Sequence, residues 1–154
     1  MDWSVRRNKE LAGTLRSLIQ VLEDSQRGMA TIGEHLREPA LRRYFLMESL
    51  RRANFRGELE NILHQHGVAD VHESGTVVAA LYRAWTGLQA VLGAGDNAML
   101  ATADEAEHEA RDAYRAALKA ELPVPVRQTI VEQQSHILMA ADYLREQQQE
   151  LSAA

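Results

Sequence analysis

The chain has 154 residues, of which 45% are hydrophobic and 25% charged, and these values are typical of one ordinary globular domain. It contains no cysteine, which excludes disulfides, zinc–thiolate sites, iron–sulfur clusters and thiol catalysis. The formal net charge of −5 argues against a general electrostatic affinity for nucleic acid.

Membrane insertion and export are also disfavoured by the sequence. No apolar run approaches the roughly 20 residues that a bilayer-spanning helix needs. The first ten residues, MDWSVRRNKE, lack the apolar segment of a signal peptide. We therefore expect a cytoplasmic protein that has neither a membrane nor a nucleic acid as its partner.

The spacing of apolar residues, alternately three and four, predicts a series of amphipathic helices. The predicted helices cover residues 8–36, 39–66, 76–92, 96–122 and 125–149. Asn8 and Asp96 are the expected N-caps of the first and fourth of these. Pro39 suits the first position of a helix, and Gly67 is expected to stop the helix that Pro39 starts.

The connection over residues 68–95 is too long for a tight turn between neighbouring helices. Its middle carries an apolar stripe, which predicts a short helix inside the connection and consists of Val78, Leu81, Trp85, Leu88 and Leu92. A connection of this length can return the chain across a bundle. The sequence therefore predicts an all-α, single-domain four-helix bundle over residues 1–154, with one long crossover that contains a short fifth helix.

Each long helix places a polar residue at a core-facing position near its middle. These residues are Ser25 in the first helix, Glu48 and Arg52 in the second, Glu107 in the third and Gln133 in the fourth. Since the middles of equally long helices meet in a bundle, we expect a buried polar layer. Its members need partners, because a stranded polar group costs about 1–3 kcal/mol.

Two interpretations of this layer compete. Di-iron carboxylate bundles use one Glu from each of two helices and a Glu-x-x-His motif from each of the other two. This layer offers only Glu48 and Glu107 as carboxylates, and it includes Arg52. A guanidinium carries a permanent positive charge and no lone pair. The alternative, an ion-pair and hydrogen-bond network that fixes helix register, is therefore favoured.

The most densely charged stretch is ADEAEHEA, Ala103–Ala110, in the predicted third long helix. It contains the only Glu-x-x-His motif of the chain, Glu105 to His108, on a helix face offset from Glu107. We expect most of this charge to face solvent, with Glu107 and Arg111 as a surface pair of small energetic value.

Five segments together resemble a known family: EPALRRYF, FRGEL, HESGTVVAALYRAW, DAYRAAL and LPVPVRQTIVEQ. In this order they resemble a bacterial four-helix-bundle family of unknown function within the ferritin-like superfamily, from about Leu11 to Leu144. The resemblance implies a ferritin-like bundle. In that superfamily two irons bind in the central layer, and some relatives store or oxidise iron while others have lost the metal.

The ligand set that the resemblance implies is incomplete. Glu58 matches the Glu of the family's second helix, and Asp104 and Glu107 match acidic positions of its third helix. Ser25 stands where a carboxylate is expected on the first helix, and no Glu-x-x-His stands on the second or fourth helix. The candidate ligands for iron or manganese are therefore Glu48, Glu58, Asp104, Glu107 and His108.

Three functions follow as hypotheses. The first is a non-catalytic ferritin-like bundle, or one with a degenerate metal site, that has a role in stress. The second is a di-metal oxidoreductase or iron-handling protein that uses iron or manganese. The third is a helical docking or oligomerisation module, suggested by Val78, Leu81, Trp85 and Leu88. We expect a homo-oligomer, with a dimer favoured.

Overall fold

Four long α-helices and one short 3₁₀ helix make up the described part of the chain, which in this computed structural model is residues 3–69 and 85–153. The elements are α1 (Trp3–His35), α2 (Pro39–Gln65), the 3₁₀ helix (Gly87–Ala90), α3 (Asp96–Ala117) and α4 (Val124–Ala153). No strand occurs within these ranges, so the predicted all-α class is confirmed. None of the described helices combines the length and the apolar character that a membrane span requires.

Two predicted helix boundaries, the start of α1 and the end of α3, are wrong. α1 begins at Trp3, ahead of the expected N-cap Asn8, and α3 ends at Ala117 instead of at residue 122. After Ala117 the chain tightens into a turn, and the carbonyl of Ala120 accepts a hydrogen bond of 2.9 Å from Arg127 Nη2. This side chain satisfies a backbone group that a longer helix would have paired internally.

The start of α2 forms as the sequence predicts. Pro39 occupies the first turn, where a missing N–H costs nothing, and Glu38 is the N-cap. The Glu38 carboxylate accepts hydrogen bonds from the N–H groups of Ala40 and Leu41, at 3.1 and 2.9 Å. A carboxylate at this end also interacts favourably with the helix dipole.

Gly67 ends α2, as predicted, through a Schellman motif. Its φ of +79° lies in the left-handed region that glycine adopts without a steric penalty. The N–H of Gly67 donates to the His64 carbonyl at 3.0 Å, and the N–H of Val68 donates to the Leu63 carbonyl at 2.9 Å.

Asp96 is not the N-cap of α3, because that position is held by Gly95 and no side chain caps the helix. The Asp96 carboxylate instead accepts hydrogen bonds from the backbone N–H groups of Arg37 and Glu38, at 2.8 and 3.0 Å. Asp96 therefore ties the start of α3 to the turn between α1 and α2, a contact across 59 residues of sequence.

The helix directions follow from contacts at the two ends of the bundle. Asp96 opens α3 beside the residues that follow α1, so α1 and α3 are antiparallel. Tyr44 meets Tyr143 with ring centroids 4.1 Å apart, while Gln133 reaches the carbonyl of Phe55, so α2 and α4 are antiparallel as well. α2 and α3 consequently run in the same direction.

The predicted short helix at 76–92 falls mainly outside the described residues, and so do Val78 and Leu81. Trp85 and Thr86 are helical, and the 3₁₀ helix follows directly after them. Trp85 and Leu88 are buried, at 9% and 3% exposure, in the cluster that contains Met29 and Ile32 of α1. These two members of the proposed docking stripe are therefore core residues.

The apolar core of the described residues consists of two clusters, and on α2 polar residues lie between them. On α2, Leu41 and Phe45 belong to one cluster while Leu59 and Leu63 belong to the other. Glu48 and Arg52 fill the buried positions between them. The arrangement is consistent with a four-helix bundle whose centre is polar.

Candidate functional site

The candidate site is the buried polar layer between the two apolar clusters. Within residues 5–69 and 85–153, the buried polar side chains are Ser25, Glu48, Ser49, Arg52, Glu107 and Gln133. The five expected residues are all in this set. Ser49 is additional, and its hydroxyl donates to the carbonyl of Gln26 on α1 at 2.9 Å.

The guanidinium of Arg52 lies at the centre of this layer and is fully buried. Its Nη1 and Nη2 donate to the two carboxylate oxygens of Glu107 at 2.8 and 2.7 Å, in a bidentate pair. Its Nε donates to Glu48 Oε1 at 3.1 Å, one helical turn away on α2. Arg52 thus joins a carboxylate of its own helix to one on α3.

Glu48 is also bound from α4. His136 Nε2 lies 2.7 Å from the same Glu48 Oε1 that accepts from Arg52. An ionised carboxylate can only accept hydrogen bonds, so the Nε2 of His136 carries the proton in this contact. The imidazole is held edge-on to Phe55, with ring centroids 5.4 Å apart, and its side chain is 23% exposed.

A second network lies beside the first and is centred on Gln133 of α4. Its Oε1 accepts from the Tyr114 hydroxyl at 2.7 Å, and its Nε2 donates to the Phe55 carbonyl at 3.1 Å and to Glu58 Oε1 at 3.2 Å. Because both partners of Nε2 are acceptors, the amide orientation is fixed. Gln133 therefore links α3 and α4 to α2.

Ser25 is the exception in the layer. It is completely buried, yet its hydroxyl has no hydrogen-bond partner among the described residues. It stands at the α1 position where the family resemblance implies a carboxylate. α1 therefore contributes no charge to the centre.

The charges of the layer shift the pKa values of its members in consistent directions. Burial raises the pKa of Glu48, but the hydrogen bond from His136 and the charge of Arg52 outweigh it, so the pKa is lowered. Burial opposes the charge of Arg52, and the carboxylates of Glu107 and Glu48 nevertheless hold its pKa above the usual value. The ionised forms of both groups are therefore favoured in the folded protein.

Two tyrosines next to the layer are held in the neutral form. Burial raises the pKa of Tyr44, and the nearby carboxylates of Glu48 and Glu107 raise it further. Burial also raises the pKa of Tyr114. Both phenols remain hydrogen-bond donors over the physiological range of pH.

The charged stretch Ala103–Ala110 contributes only Glu107 to the layer. Asp104 is half-buried, and Glu105 and His108 are exposed on the other side of α3. The expected surface pair of Glu107 with Arg111 does not form, because both oxygens of Glu107 bind Arg52. The inward direction of the Glu107 side chain decides this outcome.

The five proposed metal ligands do not come together. Glu48 and Glu107 meet at Arg52, whereas Glu58 is exposed and bound to Gln133, and Asp104 and His108 lie apart. Across the described ranges there is no group of three or more His, Cys, Asp or Glu residues placed to hold a metal ion.

Besides Ser49, sequence reasoning missed two members of the site, His136 and Tyr114. His136 follows Gln133 by three residues, so the two side chains share one side of α4. Tyr114 follows Glu107 by seven residues on the core-facing stripe of α3. These spacings could have identified His136 and Tyr114 from the sequence.

The comparisons with known proteins give a family but no characterised relative. No curated protein matches the chain. A family model described as "Domain of unknown function (DUF2383)" matches residues 10–120, which include most of α1, all of α2 and α3, and the connection between α2 and α3. Ser25, Glu48, Arg52 and Glu107 all fall inside the matched region. The chain thus belongs to the DUF2383 family of domains of unknown function.

Proposed function

We propose that the chain is a non-catalytic ferritin-like bundle, in which an internal ion network takes the place that a metal centre occupies in metal-binding members of that superfamily. The helix order, the long connection between α2 and α3, and the antiparallel pairs α1–α3 and α2–α4 support the ferritin-like topology. On this proposal the protein acts as a structural or interaction module.

The observation that carries the proposal is the position of Arg52. Its guanidinium lies between Glu48 and Glu107, within 3.1 Å of one and 2.7 Å of the other. A divalent cation at this point would have to compete with a permanent positive charge that cannot be deprotonated. It would also have to displace the hydrogen bonds that already engage both oxygens of Glu107.

The donor set does not fit a di-metal centre either. α1 supplies only the Ser25 hydroxyl, and the buried position of α4 supplies the Gln133 amide, which is engaged with Tyr114 and Glu58. Divalent iron and manganese prefer imidazole and carboxylate ligands, and di-metal bundles use four carboxylates and two histidines. The residues at the centre of this chain therefore do not match an iron or manganese oxidoreductase.

The proposal is tested by metal analysis of the protein, purified without chelator and then incubated with ferrous or manganous salt. We expect less than about 0.1 metal ion per chain after desalting, and oxidation of ferrous ion no faster than in buffer, because the site disfavours a second cation. Retention of near one or two ions per chain, lost in a Glu107→Gln variant that stays folded by circular dichroism, would overturn the proposal.

A matched control separates the centre from the exposed acidic face of α3. An Asp104→Asn, His108→Gln double variant leaves the Arg52 network intact and removes two other candidate ligands. If weak metal retention disappears in this variant but persists in Glu107→Gln, the metal is bound at the surface. The proposal for the centre would then stand.

A further inference from the structure

The face that α2 and α4 present to solvent carries three large exposed apolar side chains. Met47 and Leu50 on α2 are 64% and 66% exposed, and Met139 on α4 is 69% exposed. The contact of Glu48 with His136 fixes the relative height of the two helices. Met47 and Met139 each lie close to that contact in sequence, so they occupy the same height on neighbouring helices.

Charged residues flank these methionines with opposite signs on the two helices. Arg43 and Arg51 lie four residues on either side of Met47, and Glu132 and Glu146 lie seven residues on either side of Met139. All four charged residues are exposed, and none has an ion pair or hydrogen bond within residues 5–69 and 85–153. The exposed residues that flank Met47 on α2 are therefore basic, and those that flank Met139 on α4 are acidic.

The antiparallel direction of α2 and α4 decides which charges share a height. Tyr44 meets Tyr143 at one level, and Phe55 meets His136 at another. Arg43 consequently lies toward the Glu146 end of α4, and Arg51 toward the Glu132 end.

We propose that a second copy of this chain covers the α2–α4 face, related by a twofold axis that runs parallel to the helices. This axis places α2 of one protomer against α4 of its partner and keeps every residue at its own height. Met47 then meets the partner's Met139, and Arg43 faces the partner's Glu146. Arg51 lies about one helical turn in height from the partner's Glu132, a distance that its long side chain can span. The interface is self-complementary, as a twofold interface must be.

The other twofold arrangement of this face is disfavoured by the same charges. An axis perpendicular to the helices would place α2 against α2, with Arg43 opposite the partner's Arg51. It would also bring Glu132 opposite the partner's Glu146. Like charges placed against each other across an interface disfavour association. The charge pattern therefore selects the first arrangement.

The face is large enough for a stable dimer. Helices of the length of α2 and α4 extend for about 40 Å, at about 1.5 Å per residue. Two of them lying side by side about 10 Å apart present roughly 800 Å². A specific interface buries about 800 Å² per partner, so the whole face is of the standard size. The same contact would cover His136, the partly exposed member of the Arg52 network.

The experiment measures the mass of the protein by sedimentation equilibrium between about 0.01 and 100 µM, since the dissociation constants of interfaces of this size range from micromolar to picomolar. We expect a dimer for the unmodified chain and a monomer for Met47→Glu or Met139→Glu, each folded by circular dichroism. The matched control is Val131→Glu, which changes an exposed residue of α4 on a different side of the helix. It should remain a dimer.

Charge reversal tests the arrangement itself. Arg51→Glu should raise the dimer dissociation constant at least tenfold, and the Arg51→Glu, Glu132→Arg double variant should return it to within about threefold of the unmodified protein. A monomer at every concentration would overturn the proposal and leave the face to another partner. A dimer unaffected by Met47→Glu and Met139→Glu, or a double variant no better than Arg51→Glu, would overturn it as well.

Discussion

The guanidinium of Arg52 on α2 binds the carboxylate of Glu107 on α3 through two hydrogen bonds, of 2.8 and 2.7 Å. These two helices run in parallel, and the two residues lie 55 positions apart in the sequence. With Glu48 and His136 the pair forms one continuous hydrogen-bonded chain from α3 through α2 to α4. This chain lies at the point where the two apolar clusters of the core would otherwise meet.

Removing the arginine should be the most damaging single change in the core. Methionine is similar to arginine in length but carries no charge, so Arg52→Met leaves Glu107 buried without its cation. We expect a loss of about 3–5 kcal/mol in the free energy of unfolding at neutral pH. Urea denaturation followed by circular dichroism measures this loss. Adding Glu107→Leu should recover part of it, since the stranded carboxylate is then gone.

The matched control for Arg52 is Arg56, one turn further along α2. Arg56 pairs with Glu60 at 3.3 Å, with both side chains about one-third exposed. Arg56→Met should cost less than about 1 kcal/mol, because exposed ion pairs contribute little. Equal losses for Arg52→Met and Arg56→Met would contradict the ionic account of the core.

The lowered pKa of Glu48 predicts sensitivity to acid. In the unfolded chain the carboxyl titrates near 4.5, and in the folded protein it titrates below that value. Its contribution to stability is therefore complete above about pH 4.5 and is lost as the pH falls through the folded pKa. Stability should decline as the pH falls below about 4.5, as measured by urea denaturation at a series of pH values.

Two variants isolate this contribution. Glu48→Gln should be less stable at neutral pH but should show a shallower decline in acid, since it has no carboxyl to protonate. His136→Leu removes a hydrogen bond that lowers the pKa of Glu48, so its acid transition should move to higher pH. An unchanged slope in Glu48→Gln would exclude Glu48 as the titrating group.

Gly28 of α1 allows the crossover to pack against the bundle. A Cβ at this position would overlap the indole ring of Trp85. Gly28→Ala should cost about 1–3 kcal/mol through overpacking and should shift the Trp85 emission to longer wavelength, recorded with Trp3 replaced by Phe. Gly13→Ala, in the same helix with no atom within 4 Å of the new Cβ, should instead stabilise by about 0.5–1 kcal/mol.

The two buried serines should respond to truncation in opposite ways. Ser25 has no partner for its hydroxyl, so Ser25→Ala should be neutral or stabilise the protein by up to about 1 kcal/mol. Ser49 donates to the Gln26 carbonyl, so Ser49→Ala should lose about 0.5–1.5 kcal/mol. Thermal denaturation of both variants side by side measures the difference. A clear loss in Ser25→Ala would reveal a partner for the hydroxyl.

The helices could be predicted from the sequence because their signals are local. The spacing of apolar residues is fixed by the 3.6-residue turn, and Pro39 and Gly67 act through their own backbone geometry. The inward direction of Glu48, Arg52, Glu107 and Gln133 followed from the same periodicity, and all four are buried. The end of α3 at Ala117 could not be predicted in this way, because the side chain of Arg127 on α4 satisfies the carbonyl of Ala120 in the turn that follows.

The partners of the polar side chains were decided by tertiary structure alone. Asp96 has the residue type of an N-cap, yet its carboxylate binds the backbone of Arg37 and Glu38 in another turn. Glu107 has Arg111 one turn away, yet it binds Arg52 of a different helix. Helical periodicity determines which side of its helix a side chain lies on. Which group meets it depends on the packing of helices that lie far apart in the chain, and a buried charge takes the partner that best offsets its desolvation.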